Sequence, residues 1–204
     1  MELSPKLYHY FVRPQWFSNI FYDKMFHDLI DFRGKTVLDF GCGVGSSSFL
    51  FEPSAYHGVD CDGNRIEYAK KLYPEHNFMA IKADGRLPLS RNSVDYVMIL
   101  SVLHHISTEL FFDYLKEFQR VLKLDGSIII VEPCFYEKAS LPNWCMSNFD
   151  KGRYIRNEDE YLDIFRKANY KTKVIKRYNQ LLFYNKIMFL HLLFVRFDIH
   201  RTKK

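Results

Sequence analysis

Along this chain, short apolar runs rich in β-branched residues alternate with stretches of helical periodicity, and each run ends in small or acidic residues. That alternation predicts a parallel sheet with helical crossovers. The first strand is expected at Lys35 to Phe40, the second at Tyr56 to Asp60 and the third near Asn77 to Lys82. The fourth spans Ser93 to Leu100 and the fifth Gly126 to Val131. The last two are almost continuously apolar, as expected of central strands covered by helices on both faces.

Between them, Leu110, Tyr114, Leu115, Phe118, Val121 and Leu122 recur at helical spacing, which predicts a crossover helix over Glu109 to Leu124 closed by Asp125-Gly126. Asn157 with Glu160 three residues on has the form of a capping box, opening an amphipathic run through Tyr161, Leu162, Ile164, Phe165 and Ala168. Two further strands fit the remaining length, Lys171 to Tyr178 and one within Leu181 to Phe194. The stretch Leu181 to Phe197 is rich in Leu and Phe, but Asn185, Lys186, His191 and Arg196 interrupt it, and each charge at a bilayer centre would cost about 2.5–3.5 kcal/mol. It reads as core strand and turn, with no transmembrane segment.

The expected organisation is a single domain over 1–204. It comprises an N-terminal helical cap over 1–33, a core over 34–133, a segment over 134–156 too long for a simple connection and so able to cover a site, and a helix with strands over 157–204. Composition fits a packed interior, being 48% hydrophobic and 17% aromatic. The net charge of +5 is concentrated toward Arg196, Arg201, Lys203 and Lys204, and charges elsewhere are mixed. A dedicated nucleic-acid binder is therefore disfavoured. Cys42, Cys61, Cys134 and Cys145 form no C-x-x-C pair and no signal peptide precedes them, so free thiols in a cytoplasm are expected. Composition leaves the oligomeric state open.

The chemistry gathers where the first strand runs into Asp39-Phe40-Gly41-Cys42-Gly43-Val44-Gly45, followed by Ser46 to Phe51 as an expected helix start. Strand, glycine turn and helix form a nucleotide-site architecture, in which ligands bind beyond the carboxyl ends of the strands. A glycine turn alone is as often an ordinary tight connection. Three carboxylates strengthen the case: Asp39, Asp60 and Asp84 each end a successive expected strand. Asp60, 15 residues past Gly45, can accept hydrogen bonds from ribose hydroxyls, and Asp84, next to Gly85, from an exocyclic amine. A dinucleotide fingerprint would need glycine where Ser46 stands, and no G-K-[ST] follows for a phosphate-loop NTPase. An acidic rim repels pyrophosphate but suits ribose hydroxyls, an ammonium group and a cationic sulfonium, the features of S-adenosylmethionine.

VLDFGCGVG at Val37 to Gly45, GVD at Gly58 to Asp60, KADGRLPL at Lys82 to Leu89, SVDYVMILSVLHHI at Ser93 to Ile106 and VLKLDGSIIIVEP at Val121 to Pro133 together resemble class I S-adenosylmethionine-dependent methyltransferases. The resemblance is to the small single-domain, type 11-like subgroup that acts on small molecules, and it covers Thr36 to Pro133. It implies a three-layer Rossmann-like α/β sandwich whose seven-stranded, mostly parallel sheet has an antiparallel last strand. By the same carry-over Gly41 and Gly43 lie against the methionine portion of the cofactor, Asp39 helps place its amino-acid end, and Asp60 holds the ribose with Cys61 or Asp62 beside it. Asp84 and Gly85 would hold the adenine, and Leu100 would floor the site.

The implied reaction is in-line attack by a substrate atom on the activated methyl, for which positioning suffices and a general base is optional. His104 and His105 follow the fourth strand and Glu132 follows the fifth, so each is a candidate base, as well as a candidate for mere packing. Cys134 raises nucleophilic methylation of a pyrimidine carbon, though a lone buried thiol is more often inert. Trp144 and Tyr154 in the covering segment, with Trp16 on the N-terminal side, are the candidate substrate wall. The expected partner is a small molecule. RNA or protein methylation, a non-catalytic S-adenosylmethionine-binding protein and, last, a dehydrogenase are the rivals. No D-P-P-Y-type motif follows the fourth strand, which disfavours nucleic-acid amines.

Overall fold

The computed structural model of the protein describes residues 26, 30–83, 86–135, 144, 152–180 and 184–194, with 178–180 and 184–194 described as backbone. Its strands are β1 (Val37–Phe40), β2 (Tyr56–Asp60), β3 (Asn77–Ala80), β4 (Val94–Leu100), β5 (Leu122–Pro133), β6 (Tyr170–Gln180) and β7 (Tyr184–Phe194). They form one sheet in the order β3-β2-β1-β4-β5-β7-β6. From β3 to β5 neighbours run parallel, and β7 lies antiparallel between β5 and β6. Chain order reverses between β1 and β4, which opens a crevice at their carboxyl ends.

Alternate residues of the central strands build two apolar layers. Leu38, Phe40, Val97, Ile99, Ile128 and Ile130 face one way, Val37, Met98, Leu100, Ile129 and Val131 the other. The first face is covered by α2 (Thr108–Val121), which presents Phe111, Tyr114, Leu115, Phe118 and Val121, and by α3 (Glu158–Lys167), which presents Tyr161, Ile164 and Phe165. Phe40 meets Tyr114 and Phe118 edge-on at centroid distances of 4.6 and 5.0 Å. The second face is covered by α1 (Gly63–Leu72) through Ile66 and Ala69, together with Phe26 and Phe51. With both faces covered, only apolar strands are tolerated, which explains the composition of β4 and β5.

Local signals set the helix starts. Asp62 caps α1 by accepting from the N–H groups of Asn64 and Arg65, and the Ser107 hydroxyl accepts from Leu110 N–H at the start of α2. Asn157 and Glu160 form the complete reciprocal box expected at α3.

Two expected elements differ. The region Ser46 to Phe51 holds a single 3-10 turn, Ser48–Leu50, followed by a second at Pro53–Ala55, rather than the start of an α-helix. Three consecutive serines favour local turns over helix, and Pro53 forces Glu52 into extended geometry (φ −61°, ψ 132°). The crossover helix ends at Val121, three residues before its expected end, and β5 begins at Leu122. Leu122 is extended and buried opposite Val94, and the residues up to Gly126 bulge out before regular pairing resumes at Tyr96 and Ser127.

Phe118 is wholly buried between α2 and the sheet. Phe118→Ala is expected to cost about 3–5 kcal/mol of unfolding free energy, measured by urea denaturation with the slope unchanged.

Candidate functional site

The crevice at the carboxyl end of the sheet is assembled from three connections. The first is the glycine turn after β1. Gly41, Gly43 and Gly45 adopt φ of +76°, +56° and +77°. A Cβ on Gly41 would strike the Val102 side chain at 2.4 Å, whereas a Cβ on Gly43 would meet nothing within 4 Å. Gly41 thus lets the turns after β1 and β4 touch, and Gly43 borders open space in which a ligand can approach the main chain. The N–H groups of Gly41 and Cys42 both donate to Val59 O, at 2.8 and 3.0 Å, which folds the turn over the end of β2.

Asp60, the last residue of β2, completes this turn. Its Oδ2 accepts from Gly43 N–H at 2.8 Å and its Oδ1 from Asp62 N–H at 2.8 Å. The carboxylate is 8% exposed and lies at the same end of the sheet as the open side of Gly43. Asp62 is correspondingly a helix cap, its side chain turned into the first turn of α1 and paired with Arg65 at 3.2 Å. Cys61 is exposed, and partial burial beside the charges of Asp60 and Asp62 pushes its thiol up. Asp39 lies at the base of the turn, 1% exposed, and its Oδ2 accepts from the Ser47 hydroxyl at 2.5 Å and the Tyr56 hydroxyl at 2.8 Å.

The second connection follows β4. Leu100 is buried in the apolar layer beneath the crevice. Ser101 takes φ +56°, a left-handed conformation that a serine adopts only where its surroundings enforce it. A 3-10 turn over Leu103–His105 comes next. Its N–H groups are held by the third element, Glu132 near the end of β5. Glu132 is fully buried. Its Oε1 accepts from Val102 N–H at 2.6 Å and Leu103 N–H at 2.8 Å, and its Oε2 lies 2.8 Å from His104 Nδ1. Where Glu132 is ionised it can only accept, and His104 Nδ1 is then the donor of this pair. The His105 ring lies against that of His104 at 4.1 Å between centroids, with His105 exposed and His104 buried. Glu132, from sequence a candidate base or a packing residue, is thus wholly buried with both carboxylate oxygens engaged. Cys134 is 1% exposed with Sγ on Glu132 O, the geometry of a packed thiol.

Arg156, which sequence reasoning did not single out, binds these parts together. Its guanidinium, in a residue 8% exposed, donates to the carbonyls of Leu103, Tyr154 and Ile106 and to the Thr108 hydroxyl at 3.0–3.1 Å. It also lies over the rings of Tyr154 and Tyr161 at 5.7 and 5.6 Å. Tyr154 N–H donates to His104 O, and Phe135 N–H donates to Arg156 O. The chain therefore leaves β5 at Phe135 and returns at 154–157 against the histidine turn. Burial and the nearby Glu132 charge push the Tyr161 phenol well up, so it stays neutral. Tyr154 is 40% exposed beside the turn and Trp144 is 57% exposed. Asp84, Gly85 and Trp16 lie outside the described residues.

Asp39, Asp60 and the glycine turn thus sit on one side of the crevice, and His104, His105 and Tyr154 on the other. Such an arrangement sets an acid and close backbone on one side, and on the other the exposed His105 backed by buried His104. Among the described residues no His, Cys, Asp and Glu group has metal-binding geometry, and no helix is long and apolar enough to cross a membrane.

Residues 38–130 match the family model described as a methyltransferase domain. No curated protein matches the chain in sequence. Similar folds occur in an S-adenosylmethionine-dependent methyltransferase from Aquifex aeolicus, 18% identical over 94% of this chain and 100% of that one with a TM-score of 0.67. The YcgJ protein of Bacillus subtilis is 17% identical over 79% of this chain and 92% of its own, with a TM-score of 0.65. Geranyl diphosphate C-methyltransferase from Streptomyces coelicolor, solved with Mg²⁺, geranyl diphosphate and S-adenosylhomocysteine, is 14% identical over 79% of this chain and 73% of that one, with a TM-score of 0.62. The open cradle at Gly43 and the acid beside it both lie within residues 38–130, the stretch that matches the methyltransferase-domain model.

Proposed function

We propose that the protein transfers a methyl group from S-adenosylmethionine to a small-molecule acceptor. The observation that carries the reading is the pairing of Asp60 with Gly43: an acid at the end of β2 held by the same glycine turn whose open side borders the crevice. On this reading Asp60 accepts from the ribose hydroxyls, with Cys61 and Asp62 beside it. Gly41 and Gly43 give the amino-acid portion close access to backbone, Asp39 supplies negative charge at that end, and Leu100 is the apolar floor. Asp84 and Gly85 remain the proposed adenine contacts. When bound, the cofactor supplies an electrophilic methyl on a sulfonium, which carries its own leaving group.

The chain's residues orient the acceptor, exclude water and hold the departing proton. Exposed His105 is the proposed base, an imidazole being the side chain best suited to take up a proton at neutral pH. His104 and Glu132, both buried behind it, act as positioning residues: the carboxylate sets the His104 ring and the 3-10 turn, and the His104 ring backs His105. Tyr154, with Trp144 and Trp16, is the proposed acceptor wall, and 134–156 the proposed covering segment. The small-molecule assignment draws support from relatives of the same fold whose names specify such substrates, geranyl diphosphate and mitomycin.

Asp60→Ala is expected to weaken S-adenosylmethionine by more than about tenfold in titration calorimetry, because two hydrogen bonds to a charged acceptor are lost; unchanged affinity overturns the assignment. His105→Ala is expected to lower turnover of an acceptor found by screening metabolites with methyl-labelled cofactor, while cofactor affinity holds. Undiminished turnover removes the base. Glu132→Ala strands two buried N–H groups and is expected to cost about 3–5 kcal/mol in denaturant unfolding, with Glu132→Gln retaining much of that stability.

A further inference from the structure

Asp39 is more deeply buried than Asp60, and its carboxylate is gripped by two hydroxyls from different elements. Ser47 belongs to the leg of the chain that leaves the glycine turn, and Tyr56 opens β2 on the neighbouring strand. Both donors are themselves buried, Tyr56 at 0% and Ser47 at 5% exposure. Tyr56 is locked in place by Phe51 stacked at 5.6 Å and by His76 and Phe78 packed edge-on at 5.4 and 5.5 Å. The three groups tie β1, the glycine connection and β2 at one point. Neither hydroxyl brings positive charge, so the point remains electronegative and favours a cationic group of any ligand in the turn. Burial and the Asp39 charge push the Tyr56 phenol well up, and it therefore remains a proton donor across the physiological range.

We infer that Ser47 and Tyr56 are positioning residues that aim the Asp39 carboxylate at the cationic amino-acid end of the cofactor, and so set affinity for that end independently of the nucleoside. The inference rests on the cofactor site proposed above. It makes a distinction that a general packing role does not: only ligands bearing the α-amino acid should sense these two hydroxyls.

The test is titration calorimetry of the full chain with S-adenosylmethionine, S-adenosylhomocysteine and methylthioadenosine, the last sharing the nucleoside and lacking the amino-acid end. Tyr56→Phe and Ser47→Ala keep the ring and the loop and remove one donor each. Each is expected to weaken the first two ligands by about three- to tenfold while methylthioadenosine changes by less than about twofold, and Ser47→Thr is expected to restore binding. Asp60→Ala is the contrast, weakening methylthioadenosine as well as the other two through the shared ribose. Equal loss of all three ligands in the hydroxyl variants, or no loss, overturns the inference and leaves the cofactor site standing. If the unaltered protein binds none of the three, or Asp60→Ala leaves all three unchanged, the proposed site itself fails and the inference with it.

Discussion

A carboxylate buried at the end of a strand has to be met by donors, and this requirement shapes the working end of the molecule. Asp39, Asp60 and Glu132 are between 0 and 8% exposed, far below what an ionised side chain accepts without compensation. None relies on its own strand: Asp39 accepts from Ser47 in the glycine connection and from Tyr56 in β2, Asp60 from the backbone of Gly43 and Asp62, and Glu132 from the backbone of Val102 and Leu103, with His104 Nδ1 beside it. The loops bordering the crevice are thereby fixed by charge-assisted bonds, which are stronger than those between neutral groups. Rigid placement is what a transfer reaction with a built-in leaving group asks of a protein.

The two walls differ in how they are held. Around Asp60 the ties are between backbone and a single acid, leaving a glycine cradle open. Around Glu132 the ties multiply, because Arg156 adds bonds from a second buried charge to carbonyls of the same turn. An anion taking the turn's N–H groups and a cation taking its carbonyls together saturate a short irregular stretch that helix or sheet would otherwise have to satisfy. Ser101, with its left-handed φ, joins Leu100, paired with Val131 in the sheet, to Val102, held by Glu132.

Much of the sheet and of its carboxyl edge around Asp39 and Asp60 was legible from residues alone. Strands covered on both faces must be apolar, which marks β1, β4 and β5, and acids directly after such runs can only sit at the sheet's carboxyl edge. The α3 box is a purely local signal, and it appears intact. Other features depend on partners remote in sequence. Leu122 continues the helical period of α2, and only its pairing with Val94 makes it strand. Tyr56 reads as an ordinary strand residue until the fold brings it beside Asp39, 17 positions earlier. Arg156 reads as a surface cation, since its acceptors are main-chain carbonyls that carry no residue-type signature. Glu132 shows the converse: its place near the end of β5 was readable, but its full burial depends on the turn following β4, whose N–H groups it accepts from.

The placement of β7 has a consequence for how the chain is made. It pairs with both β5 and β6, although it follows them in the sequence. As a ribosome extends the polypeptide, the first five strands and the helices covering them can associate, but one flank of β5 stays without a partner until residues 184–194 emerge, and β6 has no seat in the sheet before then. For that interval the nascent protein carries an open parallel edge adjoining its most apolar strands, the kind of surface that invites intermolecular pairing. Completion of the wedge converts it into an interior seam, so folding of this half of the sheet waits on residues 184–194 rather than following the order of its elements.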